Sequence, residues 1–314
     1  MTYRGSATGP AARPALDDAL QGAAPAKEWV PRADREAFAR LRLRPRPVTG
    51  FDRYLFAETE TRILGRTWAA PVVVVSPDDQ DRARLDGEVA MVDGEVVMAS
   101  VAGSAGLPLV VSDVAGRSLR DIVAAASGPL WLRISHDRGH APNRELIRDA
   151  QRAGVQALVL GADAPGRTGS LVERARAVSP LPLLLEGVLT ASDARKAVEA
   201  GVDGIVVSHR GDRRPGPAPA TVDALPPVAS AVGGACPVLL DGGVRGGGDV
   251  LAALALGADA VLLGPPVLHG LAVAGRDGAA QVLDLVINEL ADMMTLTGTT
   301  SVADAGPELV RRIT

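Results

Sequence analysis

The sequence predicts an α/β chain, a (β/α)8 TIM barrel with an N-terminal helical and irregular extension. Three observations lead there. From Pro71 onward, short aliphatic runs alternate with amphipathic, Ala-rich stretches, the pattern of strands buried on both faces with helices between them. Eight such runs occur before the chain ends, enough to close a barrel. Apolar residues make up 47% of the 314 and aromatic ones only 3%, so the interior is large and built from Ala, Val and Leu. A doubly wound open sheet is the competing arrangement, and the count and spacing of the runs favour closure.

The elements follow in order. Residues 1–60 form an extension packed on the barrel, and residues 61–314 form one barrel domain. The first ~25 residues, rich in Ala, Pro and Arg, read as a loose tail, and Pro31–Leu41 reads as a short helix. The predicted strands are Pro71–Val75, Pro108–Val111, Leu130–Ser135, Ala157–Gly161, Pro182–Leu185, Gly204–Ser208, Pro237–Asp241 and Ala260–Leu263. Helical periods fill the gaps. One, Ser192–Ala200, follows a capping Thr190 and stops at Gly201. The repeated Asp-Gly-Glu at Asp86–Glu88 and Asp93–Glu95 reads as an inserted turn or hairpin before the first barrel helix.

Composition excludes several functions. A formal charge of −4 does not suit a nucleic-acid or acidic-membrane surface. The single cysteine, Cys236, rules out an intrachain disulfide and a thiolate zinc site, which fits a reducing, cytoplasmic setting. No apolar run approaches the ~20 residues of a membrane span. His136 and His140 are four apart, but Gly139 and Pro142 make that segment a loop, so no metal site is expected. Cys236 itself reads as a buried apolar filler.

A barrel of this kind places its chemistry at the strand C-termini and the loops after them. Those positions are Ser76, Ser112, Ser135, Asp163, Glu186, Ser208 with His209 to Arg214, Asp241 to Arg245, and Gly264. The strongest local signal is Asp241-Gly-Gly-Val-Arg245, followed by Gly246-Gly-Gly248 and a helix. Glycines after a strand let backbone N–H groups approach an anion, the helix N-terminus adds a favourable dipole, and Arg245 can grip a phosphate with two hydrogen bonds. The next strand ends at Gly264, and the loops after strands seven and eight are the usual phosphate site of this fold. The alternative is that these glycines serve only tight turns. Arg210, Arg213 and Arg214 after the sixth strand read either as an anion-binding group or as a solvated rim.

With these residues in view, the chain resembles the FMN-dependent α-hydroxy-acid oxidase and dehydrogenase family, which includes glycolate oxidase and lactate oxidase. The likeness is carried by Gly187-Val-Leu-Thr-Ala-Ser-Asp-Ala-Arg195, Gly201-Val-Asp-Gly-Ile-Val-Val-Ser208 and Pro219-Ala-Thr-Val-Asp-Ala-Leu-Pro226. It continues through Pro237-Val-Leu-Leu-Asp-Gly-Gly-Val-Arg245 and Ala252–Gly264, and more weakly covers Ala37–Arg46. The resemblance implies an FMN cofactor, a small anionic substrate and a homo-oligomer, often a tetramer. It implies cofactor contacts at Ser112, Arg133, Ser208, Asp241, Gly242, Gly243, Arg245 and Gly264. Arg213 matches the substrate-carboxylate arginine, and Asp163 matches a family acid.

The departures fall on the chemistry. The family motif Ser-Asn-His-Gly-Gly-Arg reads Ser208-His-Arg-Gly-Asp-Arg213 here. The base position is therefore Arg210, which is permanently protonated and cannot take a proton near neutrality. His209 lies one residue early, where strand alternation turns it elsewhere; it reads as a structural or rim histidine, with a relocated base as the alternative. A family Lys that offsets charge on the reduced flavin becomes Glu186, which would repel it. An ungapped match puts Arg133 and Ser135 at the inward Gln and Tyr of the third strand, whereas a one-residue shift would put Leu132 and Ile134 there. A family Thr becomes Gly161, an Arg becomes Pro265, and a tyrosine expected near Leu20 or Gln21 is missing. Only 18 residues separate Asp163 from Pro182, so the long loop of many relatives is absent.

Glu186 and Arg210 should be neighbours, with Arg133 reaching in from the opposite wall. A buried charge persists when paired, so an ionic cluster is expected where a flavin ring would lie; the alternative is that these groups are separately solvated in an open mouth. Three readings stay open: an FMN-binding oxidoreductase without the family's His base, a flavin-free barrel doing non-redox chemistry on an anionic metabolite, and a catalytically silent ligand-binding member.

Overall fold

The computed structural model describes residues 32–45, 57–76, 93–134, 144–161, 168–209 and 219–313. The chain enters through helix α1 (Arg32–Ala39) and strand β1 (Leu41–Leu43), then forms a small hairpin, β2 (Thr61–Ile63) and β3 (Arg66–Trp68). Eight parallel strands follow: β4 (Val72–Val75), β5 (Leu109–Ser112), β6 (Leu130–Ile134), β7 (Ala157–Gly161), β8 (Leu183–Glu186), β9 (Gly204–Val207), β10 (Val238–Asp241) and β11 (Ala260–Leu263). They close in sequence order, β11 pairing with β4 through Val261↔Val72 and its neighbours. Each predicted strand is present, shifted by at most a residue at its ends.

Between the strands run α2 (Gly94–Ser104), α3 (Leu119–Ala125), α4 (Arg144–Ala153), α5 (Thr168–Arg176), α6 (Ala191–Glu199), α7 (Thr221–Val232) and α8 (Gly247–Ala255). The long α9 (Pro265–Thr297) follows, broken at Ala274 and Gly275 by non-helical backbone. The cap read from Thr190 is made: its hydroxyl accepts the Asp193 amide at 3.1 Å. The second Asp-Gly-Glu corrects one expectation. It is no insertion but the start of α2, with Gly94 and Glu95 buried in the first turn; an acidic residue there suits the helix dipole. The first Asp-Gly-Glu, the tail before Arg32, and His136 and His140 lie outside the described residues.

Strand alternation divides the core in two. Leu132, Ile134, Leu158, Leu160, Leu183 and Leu185 point outward into the helix layer. Val73, Val110, Trp131, Val159, Leu184, Val206, Leu239 and Leu262 fill the barrel interior together with Trp68 of the hairpin. Trp68 meets Trp131 edge to face at 5.4 Å, so the hairpin plugs the N-terminal end of the barrel. At that same end Asp259 accepts the Val238 amide and Asp203 accepts the Leu183 amide, each at 2.7 Å. Each carboxylate stands just before one strand and ties down the first residue of the strand before it.

The extension is not a separable appendage. β1 pairs antiparallel with β12 (Val310–Arg312), and Asp223 of α7 accepts hydrogen bonds from both Arg40 and Arg312. Among the described residues no helix is long and apolar enough to cross a membrane, and no cluster of His, Cys, Asp and Glu could hold a metal ion.

Candidate active site at the strand C-termini

Alternation also names the residues at the mouth. Two residues above the interior layer, the inward positions are Ser112, Arg133, Gly161, Glu186, Ser208, Asp241 and Gly264, beside Val75. The apolar interior thus ends in a polar layer. This settles the register on β6: Arg133 is the inward residue, and Leu132 and Ile134 belong to the outer core. Ser76, with its hydroxyl buried and unpartnered, falls on the opposite parity.

Arg133 and Glu186 meet across β7. Nη2 of Arg133 donates to Oε1 of Glu186 at 2.9 Å, with the residues only 4% and 1% exposed. The Arg133 arm of the expected ionic cluster is therefore present. Nε and Nη1 of Arg133 are buried with no hydrogen-bond partner. Nearby, Ser208 donates to Asp241 Oδ2 at 2.8 Å, and the Ser112 hydroxyl accepts the Val114 amide at 3.3 Å. Arg210, Arg213 and Asp163 lie outside the described residues, as does Ser135.

His209 is placed elsewhere. Its Nε2 sits 3.2 Å from Oδ1 of Asp34 on α1, and its side chain is 24% exposed. The same oxygen accepts the Thr221 amide at 2.8 Å. Asp34 is fully buried, and its Oδ2 has no partner. Read from position alone, His209 was a candidate for a relocated base; here it faces the N-terminal helix instead, as alternation requires. Asp34 went unnoticed in the sequence because nothing local marks it: its partners are 175 and 187 residues away.

The glycine-rich loop after β10 also has a mixed explanation. Gly242 and Gly243 carry φ of +112° and +81°. A Cβ on Gly242 would lie 2.8 Å from the Asp34 carboxylate, and one on Gly243 would lie 2.7 Å from the Phe38 ring. Packing against α1 demands both glycines whatever they also bind. The helix dipole is not available as expected, because Glu289 of α9 already occupies the N-terminus of α8, accepting the Gly247 amide at 2.9 Å and the Gly248 amide at 3.4 Å. Such a carboxylate satisfies the end amides an anion would otherwise seek. Arg245 bonds Asp249 through Nε at 3.1 Å and remains partly exposed. Burial raises the Asp249 carboxyl above its ordinary pKa, opposed by the Arg245 charge and hydrogen bonds. Gly264 differs from the other two: a Cβ there would meet Val75 at an ordinary 3.5 Å, so protein packing does not require it.

The mouth thus carries a polar layer above the apolar interior, with Arg245 in the loop after the seventh barrel strand and Gly264 at the end of the eighth, the end where barrels of this kind place their ligands. The chain belongs to the FMN-dependent dehydrogenase family, which matches residues 14–170 and 167–312. Among its relatives, 2-hydroxyacid oxidase 2 of Mus musculus is 34% identical over 319 residues, covering 88% of each chain. The 4-hydroxymandelate oxidase of Amycolatopsis orientalis is 34% identical over 322 residues, covering 87% of each. Two solved structures of mandelate oxidase variants are similar. One, with (S)-mandelic acid, gives a TM-score of 0.80 at 32% identity, covering 95% of this chain and 97% of that one. The other, with a C4a-OH-FMN adduct, gives 0.78 at 35%, covering 93% of each.

Proposed function

We propose that this chain binds FMN at the strand C-termini and acts as an oxidoreductase on a small anionic substrate without a histidine base. The observation that carries it is the pair of buried, unpartnered donors on Arg133, since a site closed by protein alone would have met them. Arg245 and Gly264 would hold the phosphate; Ser112, Arg133, Ser208 and Asp241 would line the ring. Bound FMN supplies acceptance of the two electrons lost when a 2-hydroxy acid, the substrate class in the relatives' names, becomes a 2-oxo acid. Arg213 would orient the substrate carboxylate with paired hydrogen bonds. Arg210 stands where the family places its base and holds a proton it cannot release, so any proton acceptor must be another group.

The test is spectroscopic and kinetic. Purified protein with added FMN should show a bound flavin spectrum, while glycolate, lactate and mandelate should reduce it slowly. Loss of a general base slows such a step ~10²–10⁴-fold. Fast reduction by any of these acids would overturn the absence of a base; if His209→Ala also removed it, the base would have moved by one residue. A second reading rests on Glu186, a carboxylate in the layer that would face the ring. It takes the barrel as flavin-free, and predicts no bound flavin in the first measurement.

A further inference from the structure

Two donors of Arg133 are buried and open at the mouth. Its guanidinium is the one cation among the described inward positions of the polar layer, where Glu186 and Asp241 are the anions. Asp241 is engaged by the Ser208 hydroxyl, and Glu186 takes one Arg133 nitrogen. Two further nitrogens of the same guanidinium have nothing. A buried ion pair contributes little to stability compared with apolar groups of similar volume, and leaving its donors unmet makes it worse. Stability therefore does not explain this pair, whereas a ligand with acceptor atoms does.

We infer that Arg133 binds the acceptor-rich pyrimidine edge of the flavin ring and is the cation that favours its reduced form, with Glu186 as the residue that positions it. This rests on the FMN reading above. Hydrogen bonding to Glu186 fixes the guanidinium plane, and a planar fork fixed at one nitrogen has the directions of its other N–H groups set as well. The pyrimidine edge of oxidised flavin offers carbonyl and ring-nitrogen acceptors, and two-electron reduction adds negative charge there. A cation held against that edge binds the reduced form more tightly than the oxidised one. Glu186 has the opposite sign, so it weakens that preference even as it holds Arg133 in place. A purely structural ion pair would have neither effect.

The experiment compares the affinity of oxidised FMN with that of dithionite-reduced FMN, by fluorescence or absorbance titration. Four proteins are needed: the natural chain, Glu186→Gln, Arg133→Gln, and both changes together. The double variant should lose about tenfold or more of its preference for reduced over oxidised FMN, the worth of one charge-assisted hydrogen bond. Glu186→Gln alone should move the preference the other way. Arg133→Gln alone, which removes the cation and keeps the Glu186 charge, should lose more than the double. Thermal unfolding without FMN reports whether each variant folds; if the double does not, Arg133→Leu with Glu186→Leu removes the same charges without buried polar atoms. An unchanged preference in a folded double variant overturns the role of Arg133. Failure of the natural chain to bind either form overturns the FMN reading itself, and is seen before any substitution is made.

Discussion

The two ends of the barrel solve the same problem in opposite ways. At the N-terminal end, aromatic packing of Trp68 on Trp131 closes the interior, and Asp203 and Asp259 spend their carboxylate oxygens on the amides of Leu183 and Val238. At the C-terminal end the interior finishes in Arg133, Glu186, Ser208 and Asp241, and the arginine keeps two donors unmet. The closed end is not free of unmet groups, since Trp68 Nε1 and Gln156 Oε1 are also buried without partners. Those are neutral, however, and an unmet neutral group costs ~1–3 kcal/mol while a charged one costs more. One end is built for stability, and the other gives stability up.

The largest effect that tests this contrast is at the closed end. Trp131→Ala should destabilise the protein by ~3–5 kcal/mol, because it empties the interior layer beneath Arg133 and removes the contact to Trp68. Urea unfolding measures it. A loss below ~1 kcal/mol would mean that the hairpin is not a plug and the ends are not distinct.

The open end should respond with the opposite sign. Replacing both Arg133 and Glu186 by leucine should leave stability unchanged or raise it by ~1–4 kcal/mol, whereas Glu186→Leu alone should cost ~3–5 kcal/mol by stranding a buried cation. The same unfolding measurement decides. A double variant less stable than the single would mean that the pair is a structural element and the mouth is as closed as the base.

Much of this was legible in the chain. Eight buried strands are a sequence signal because a parallel strand covered on both faces must be apolar throughout, and Glu186 and Arg133 stood out because charges at strand ends interrupt such runs. The mouth's polarity was therefore readable, as was the meeting of Arg133 with Glu186. Three features were not. Asp34 reaches His209 from a helix 175 residues earlier, Glu289 caps α8 from 42 residues later, and the crowding of Gly242 and Gly243 comes from α1. Each depends on where a distant helix docks, which local spacing does not encode. Asp203 and Asp259, by contrast, occur in repeated Gly-x-Asp text just before strands, a visible pattern whose role only the amide contacts reveal.

The smallest predicted effect lies at the closed end and concerns its one thiol. Cys236 sits just before β10, half-buried, and burial pushes its pKa from 9.0 to about 11, with the carboxylates of Asp259 and Asp203 adding to the shift. Since thiolate is the reactive form, alkylation by iodoacetamide at pH 8 should run roughly a hundredfold slower than for a free cysteine. The sign of the linkage follows from a folded pKa raised above the unfolded one. Any stability the neutral thiol contributes is fully present below pH 9.0 and is lost as pH rises through about 11. Asp259→Asn should speed alkylation only slightly, because burial is the larger cause and remains. A reaction as fast as that of a free thiol would show this end of the barrel open to solvent, and the contrast between the two ends would fail there.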